Sequence, residues 1–160
     1  MVVENKITIE ALWVLLEQVP DPEIPVLSIL DLGIVRDIQM HDDQIEIIIT
    51  PTYSGCPAMD AISMDIRLKM IENGFNNVKI TSVLSPAWTT DWMTEEGKIK
   101  LNKYGIAPPK MSGDLSDSPP VCPQCNSTDT KLLSQFGSTA CKALYQCNNC
   151  KEPFDYFKCH

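Results

Sequence analysis

The sequence predicts a small α/β (α+β) domain, with helices packed on a sheet of three to four strands, followed by a C-terminal zinc ribbon with four cysteine ligands. Two observations predict this architecture. Helix and strand periodicities alternate through the N-terminal part, and six of the seven cysteines lie after residue 120. The segment between them is rich in proline, glycine and serine. We therefore expect an α/β domain over residues 1–104, a linker over 105–120 and a zinc-ribbon domain over 121–160.

The first domain is predicted to begin with a helix over residues 8–18. Thr8 can cap its N-terminus, and apolar residues recur on one face. Three prolines between positions 20 and 25 then exclude a helix. Residues 34–40 and 45–50 have strand character, and the polar residues between them predict a hairpin.

A second helix is predicted over residues 57–73. Pro57 suits the first turn of a helix, apolar residues recur at helical spacing, and Gly74 suits its C-terminal end. Residues 78–84 then predict a third strand, and residues 91–104 a final helix. Helices on one face of a small sheet are the compact arrangement for this order of elements.

Composition and charge exclude several classes of protein. No apolar run approaches the roughly 18 residues of a membrane-spanning helix, and the N-terminus does not resemble a signal peptide. We therefore expect a cytoplasmic protein with no membrane partner. The net charge is −8 without a basic face, which argues against nucleic-acid binding. In a reducing compartment, paired cysteines more often bind metal than form disulfides.

Four of the cysteines form two CxxC pairs, CPQC and CNNC, on either side of a segment long enough to form a hairpin. Two such pairs supply four thiolates for a tetrahedral metal ion, and four thiolates leave no open position for catalysis. We therefore predict a structural zinc site. An iron–sulfur cluster in the same four-cysteine site is the alternative, because four cysteines suit it equally. The predicted ligands are Cys122, Cys125, Cys147 and Cys150.

Three further candidate ligands remain in the C-terminal part: Cys141, Cys159 and His160. One interpretation is a second metal position, or an exchange of ligands during metal transfer. The other is a buried Cys141 and a frayed, solvated chain end.

Cys56 is the single cysteine of the first domain and immediately precedes Pro57. Its sulfur is therefore expected at the N-terminus of a helix, where the helix dipole favours a thiolate. Such a thiol suits a nucleophile, a redox group, a metal ligand or a structural position. The two histidines, His41 in the hairpin and His160 at the end, are poorly placed to act as its base. We therefore assign no catalytic residue and do not expect the chain to be an enzyme itself.

Several short motifs of the first hundred residues resemble a known family. They are DPEIP at 21–25, DLGIV at 31–35, TPT at 50–52 and GCP at 55–57. Together they resemble the iron–sulfur cluster assembly domain of the SufT-like metal–sulfur cluster assembly proteins. The tail motifs FGSTACKA at 136–143 and EPFDYFKCH at 152–160 are similar to the PaaD family, which is associated with phenylacetyl-CoA epoxidase in phenylacetate catabolism.

The resemblance implies an accessory protein that assists iron or iron–sulfur cluster assembly in the epoxidase system. Its partners would be the di-iron oxygenase subunit and the iron–sulfur reductase. Cys56 would transiently bind iron or a cluster, Asp21 and Glu23 would assist or shape their loop, and Thr52 would line the same pocket. A non-catalytic docking component of the complex is the alternative. A homodimer sharing a cluster through two Cys56 thiols is left open.

Overall fold

The computed structural model describes residues 7–111 and 117–158, so Cys159 and His160 lie outside the described residues. Three α-helices, seven strands and one 3₁₀ turn make up the described part of the chain. Their order agrees with the predicted α/β domain followed by a β-rich tail. In chain order they are α1 (Ile9–Glu17), β1 (Val35–His41), β2 (Gln44–Ile49), α2 (Ala58–Glu72), β3 (Val78–Ser82), the 3₁₀ turn (Thr90–Trp92), α3 (Glu95–Tyr104), β4 (Ile106–Ala107), β5 (Thr130–Ser134), β6 (Lys142–Cys147) and β7 (Pro153–Phe157).

The first sheet has three strands in the order β1-β2-β3. The hairpin makes β1 and β2 antiparallel, whereas β3 runs parallel to β2 because α2 lies between them in the chain. Alternate residues of β2 are buried, and α2 buries one stripe of its surface. The buried residues of these two elements are Ile45, Ile47, Ile49, Ala58, Ile62, Ile66 and Met70.

The final helix of this domain is shorter than predicted. Residues 91–104 are divided between the 3₁₀ turn and α3, with Met93 extended between them. The cause is the side chain of Thr94, which accepts a hydrogen bond from the Gly97 N–H at 2.9 Å and so caps a new helix. The hydroxyl of Thr94 also donates to Asp31 Oδ1 at 3.0 Å, which fixes this start against the preceding loop.

The second sheet has four strands in the order β4-β7-β6-β5. Strands β5, β6 and β7 form an antiparallel meander, as expected for a ribbon. Strand β4 lies within the segment expected to be a linker and pairs in parallel with β7. The ribbon sheet therefore begins immediately after Gly105, which ends α3 in a left-handed conformation.

The ribbon packs directly on the α/β domain. Ile106, Cys141 and Phe157 belong to the same buried apolar cluster as the core of the first domain. The ring of Phe157 contacts Trp88 edge to face, with 6.2 Å between the ring centroids. Trp88 is fixed in turn, because its Nε1–H donates to the Leu32 carbonyl at 2.7 Å. This junction places residues of β6 and β7 beside the loops of the α/β domain.

Among the described residues, no helix is long and apolar enough to cross a membrane.

Candidate metal centres

Cys56 lies in the loop that joins β2 to α2. Pro57 precedes the first residue of the helix, and no side chain caps that end. Gly55 adopts a left-handed conformation, with φ of 78°, which suits glycine because it has no Cβ. The Cys56 N–H donates to the Tyr53 carbonyl at 3.2 Å, and its side chain is half-buried. The predicted placement of this thiol next to a helix N-terminus is therefore found.

Asp21 is buried in the proline-rich loop between α1 and β1. Its Oδ1 accepts hydrogen bonds from the backbone N–H groups of Glu23 and Ile24, at 2.9 and 2.7 Å. Burial raises the pKa of Asp21 above its usual value, against the lowering effect of these two hydrogen bonds. Asp21 Oδ1 is thus occupied by hydrogen bonds within the turn that contains Glu23, the next carboxylate in the loop.

Glu23 contacts a cysteine from the ribbon. The Cys141 thiol donates to Glu23 Oε2 at 3.5 Å, although the two residues are 118 positions apart in the chain. Cys141 is buried, and the Thr139 hydroxyl lies 3.0 Å from its sulfur. Burial is the main reason that the pKa of Cys141 rises to about 11, while the Thr139 hydroxyl opposes the rise and the Glu23 carboxylate adds to it.

These groups line one small cavity of about 10 Å³. Polar groups come from three separate segments: the loop after α1, the loop before α2 and the residue before β6. Apolar residues of the loop between α1 and β1, of α2 and of β7 form the rest of its wall. The polar or thiol-bearing residues are Asp21, Glu23, Thr52, Cys56 and Cys141. All four residues predicted for cluster or iron transfer therefore lie at one cavity, together with one of the three extra candidate ligands.

Two further residues at this site were not among the predicted ones. The pKa of Tyr53 rises to about 12, first because of burial and then because of the neighbouring Cys56. Lys142 is buried beside Cys141, and its Nζ lies 4.0 Å from Asp155 Oδ2. Its positive charge lowers the pKa of both Asp21 and Cys141. In the sequence, the only signal that Lys142 belongs to this site is its position next to Cys141.

The four cysteines of the CxxC pairs form the second candidate centre. Their sulfurs all lie within 4.8 Å of one another. The Cys122 and Cys150 sulfurs are 3.7 Å apart, and those of Cys125 and Cys147 are 3.5 Å apart. A tetrahedron with Zn–S bonds of about 2.3 Å has edges of about 3.8 Å. The four sulfurs therefore fit a single tetrahedral ion, whereas a cluster with several irons needs wider spacing.

The backbone around these cysteines also suits a bound metal. In each CxxC pair the residue after the second cysteine has a positive φ: 61° at Asn126 and 68° at Lys151. The Asn126 N–H donates to the Cys122 carbonyl, and the Lys151 N–H donates to the Cys147 carbonyl. Each turn therefore bends the chain around its sulfurs. The Cys150 N–H also points at the Cys147 sulfur, 3.5 Å away.

The pKa values of two of these thiols, Cys125 and Cys150, are shifted in opposite directions. A hydrogen bond from the Ser127 backbone is the main reason that the pKa of Cys125 falls to about 6. At Cys150 the backbone N–H of Glu152 lowers the pKa, but burial and the three other thiols together raise it to about 12. A cation among the four sulfurs removes this competition between neighbouring negative charges.

Two family descriptions match separate parts of the chain. Residues 9–81 match the family described as "Iron-sulfur cluster assembly protein". Residues 107–158 match the family described as "PaaD zinc beta ribbon domain". The second match starts inside β4, which agrees with the position of that strand in the ribbon sheet.

Curated relatives match either the whole chain or its first part. A protein from Escherichia coli, described as a putative subunit of 1,2-phenylacetyl-CoA epoxidase, is 52% identical over 153 residues, which cover 94% of this chain and 93% of that protein. An Fe-S protein maturation auxiliary factor from Porphyromonas gingivalis is 37% identical over 89 residues, which cover 54% of this chain and 84% of that protein.

Solved structures resemble the α/β domain. A domain of unknown function (DUF59) from Bacillus anthracis is 30% identical, with a TM-score of 0.54, and the match covers 57% of this chain and 89% of that one. A conserved hypothetical protein from Thermotoga maritima is 31% identical, with a TM-score of 0.51, and the match covers 59% of this chain and 94% of that one. The chain therefore belongs to the PaaD family, in which an iron–sulfur cluster assembly domain is followed by a zinc β-ribbon.

Proposed function

We propose that this chain is an accessory protein of a 1,2-phenylacetyl-CoA epoxidase system. It assists the assembly or insertion of iron, or of an iron–sulfur cluster, into the oxygenase or reductase subunit. The observation that carries this proposal is the cavity that Cys56 shares with Asp21, Glu23 and Thr52 in a domain that matches an iron–sulfur cluster assembly family. The whole-length similarity to a putative epoxidase subunit supports the choice of client.

In this proposal Cys56 is the transient ligand of the cargo. It lies next to an uncapped helix N-terminus and binds metal through its sulfur. Asp21 holds the loop in shape through its backbone hydrogen bonds and so directs Glu23 towards the cavity. Reduced thiols of this kind persist in the cytoplasm, where we place the protein.

We further propose that zinc occupies the four-cysteine site and that its role is structural. The spacing of the sulfurs and the match to a zinc-ribbon family support this assignment. Metal analysis and absorption spectroscopy of protein purified without oxygen test it. One zinc per chain and no visible chromophore are expected. A brown chromophore that is lost in Cys147→Ser would instead support the iron–sulfur alternative.

The main test measures metal in the client proteins. The epoxidase subunits are expressed in a host that lacks its own homologue of this chain, together with the wild type or Cys56→Ala. Oxygenase and reductase are then purified without oxygen, and their iron and acid-labile sulfide are measured. We expect Cys56→Ala to lower the iron content of one client at least severalfold. Ser54→Ala is the matched control, because Ser54 is an exposed residue of the same loop.

Full iron content and full activity of both clients with Cys56→Ala contradict the proposal. The zinc content and thermal unfolding of the variant show whether it is folded. A loss in the oxygenase alone identifies the di-iron subunit as the client. A loss of acid-labile sulfide in the reductase alone identifies the cluster-containing subunit.

A non-catalytic docking component is the second candidate function, and one observation favours it. Met64, Leu68 and Ile71 form an apolar stripe on the solvent face of α2, and each is about half exposed. This function predicts that Leu68→Glu prevents co-purification with the epoxidase, whereas Cys56→Ala leaves co-purification and client iron unchanged. Removal of residues 121–160 is a poor test, because it also removes Phe157 from the shared core.

A further inference from the structure

The cavity beside Cys56 is small and has the size of a single ion or water molecule. Its volume is about 10 Å³, close to the minimum for a single water molecule. Metal ions of the first transition row are comparable in size to a water molecule or smaller. The cavity as it stands therefore favours a single ion as the bound species.

The donor atoms around this cavity also favour a particular class of ion. Two thiols, from Cys56 and Cys141, and the carboxylate of Glu23 line it. Mixed thiolate and carboxylate ligands suit borderline divalent transition metals, among them Fe²⁺, Co²⁺ and Zn²⁺. Hard cations such as Mg²⁺ and Ca²⁺ prefer sites with oxygen ligands only.

Cys141 is held at this cavity by the junction between the two parts of the chain. It directly precedes β6, and the Lys158 N–H donates to its carbonyl at 2.9 Å. Phe157, next to Lys158, is anchored in the shared core by Trp88. The ribbon thus fixes the backbone of Cys141, and its sulfur already contacts Glu23 Oε2.

The site is not assembled around an ion in advance. Among the described residues, the four CxxC cysteines form a group of potential metal ligands whose sulfurs all lie within 4.8 Å of one another. The donors around Cys56 do not form such a group, although Cys141 Sγ lies 3.5 Å from Glu23 Oε2. A site whose ligands are only partly assembled is suited to release its ion to a client.

We propose that Cys141 of the ribbon is the second thiolate ligand of the cargo site, and that Cys56, Cys141 and Glu23 together bind one divalent transition-metal ion, iron in the cell. This inference rests on the proposed function and specifies its cargo and its ligands. Each thiol releases its proton when it binds the ion, and no electron transfer is involved. The ribbon accordingly contributes a ligand to the transfer site as well as its own zinc site.

Cobalt is a suitable probe, because its thiolate charge-transfer absorption reports sulfur ligands directly. Full-length protein with zinc in its ribbon is titrated with Co²⁺ without oxygen, and bound cobalt is counted by metal analysis. X-ray absorption at the cobalt edge then gives the number of sulfur ligands. We expect one additional Co²⁺ per chain with two sulfur ligands.

The variants assign these ligands. Cys56→Ser and Cys141→Ser are each expected to weaken Co²⁺ binding at least tenfold and to leave one sulfur ligand. Glu23→Gln is expected to weaken binding while both sulfur ligands remain. Ser54→Ala, a change at an exposed residue of the Cys56 loop that the inference does not use, is expected to behave as the wild type. Zinc content and thermal unfolding show that each variant is folded.

Two results overturn the inference. One is the absence of Co²⁺ binding beyond the zinc site in the wild type. The other is wild-type affinity and two sulfur ligands in Cys141→Ser. If Cys141→Ser is unchanged while Cys56→Ala still lowers client iron, the proposed function stands and only the role of Cys141 is rejected. If Cys56→Ala also leaves client iron unchanged, the proposed function fails as well.

Discussion

The two candidate metal centres differ in how their ligands are brought together. The four-cysteine centre takes its ligands from two tight turns of one small sheet, and its sulfurs are already at the spacing of a tetrahedral ion. The centre at Cys56 takes its ligands from three segments far apart in the chain, and its donors are spread around a cavity. The first arrangement suits permanent binding. The second suits binding that is followed by release.

The largest effect is expected at the four-cysteine centre. Cys147→Ser removes a buried thiolate and should abolish stoichiometric zinc binding and unfold the ribbon. Structural zinc contributes on the order of 10 kcal/mol in small zinc-binding peptides, far more than the hydrophobic core of this ribbon can replace. Zinc analysis and circular dichroism during heating measure the loss. Retention of one tightly bound zinc and an unchanged melting temperature would contradict the assignment.

The second test concerns the junction at which the ribbon packs on the α/β domain. Phe157→Ala removes a ring that is 2% exposed and packed against Trp88, and should lower the free energy of unfolding by about 3–5 kcal/mol. Urea unfolding followed by tryptophan fluorescence measures this change. Phe136→Ala is the matched control: that ring is 63% exposed and contacts the Lys158 ammonium group, so we expect a loss below about 1 kcal/mol. Equal losses in the two variants would mean that the ribbon is not packed on the α/β domain.

A third test concerns the stability of the α/β side and has a pH signature. Burial raises the pKa of Asp31, but hydrogen bonds from Lys100, the Ser28 N–H and the Thr94 hydroxyl outweigh it and hold the pKa below 3.8. Because the folded-state pKa is depressed, this stabilisation is present above about pH 4 and is lost as the pH falls through the folded-state value. Asp31→Asn should therefore cost about 2 kcal/mol at pH 7.

Urea unfolding of the wild type and Asp31→Asn between pH 7 and pH 3 measures this effect. The difference in unfolding free energy should shrink below pH 4, since the carboxyl group of the unfolded chain takes up its proton there, at a higher pH than that of the folded protein. Glu72→Gln, a change at an exposed carboxylate whose lysine partner lies 4.0 Å away, is the control. We expect a difference within about 0.5 kcal/mol for this control throughout. A difference for Asp31→Asn that is constant with pH would exclude the ionised carboxylate as its source.

The smallest expected effect on stability is at Cys56, in the proposed transfer site. Cys56→Ser changes one atom of a half-buried side chain, so the free energy of unfolding should stay within about 0.5 kcal/mol of the wild type. Zinc content should also be unchanged. A loss of several kcal/mol would show that Cys56 is a structural residue, and the contrast between the two centres would disappear.

Most of the fold could be predicted from local patterns in the sequence. Thr8 caps the N-terminus of α1 as predicted, because its side chain accepts a hydrogen bond from the Ala11 N–H. The hairpin and α2 follow from strand and helix periodicity. The prediction of one continuous helix over residues 91–104 was wrong, since the cap at Thr94 depends on its contact with Asp31, which is distant in the chain.

The two candidate sites were predictable to different extents, because one is formed by residues close together in the chain and the other by residues far apart. The four-cysteine ligands could be read from spacing, because each pair is joined by a short turn. The grouping of Cys56 with Asp21 and Glu23 came from a family resemblance, as no local pattern links them. The contact between Cys141 and Glu23 spans 118 positions and depends on how the ribbon packs, which the sequence alone does not indicate.

The position of Cys141 and Phe157 in the wall of the Cys56 cavity has a consequence for the order of events in the cell. Both residues belong to the ribbon, which is synthesised after the α/β domain and which we expect to be stabilised by its own metal. The cavity is therefore complete only once the ribbon has folded. Under the proposed function we therefore expect zinc supply to limit iron handling, and zinc-starved cells to accumulate a chain that cannot yet serve its client.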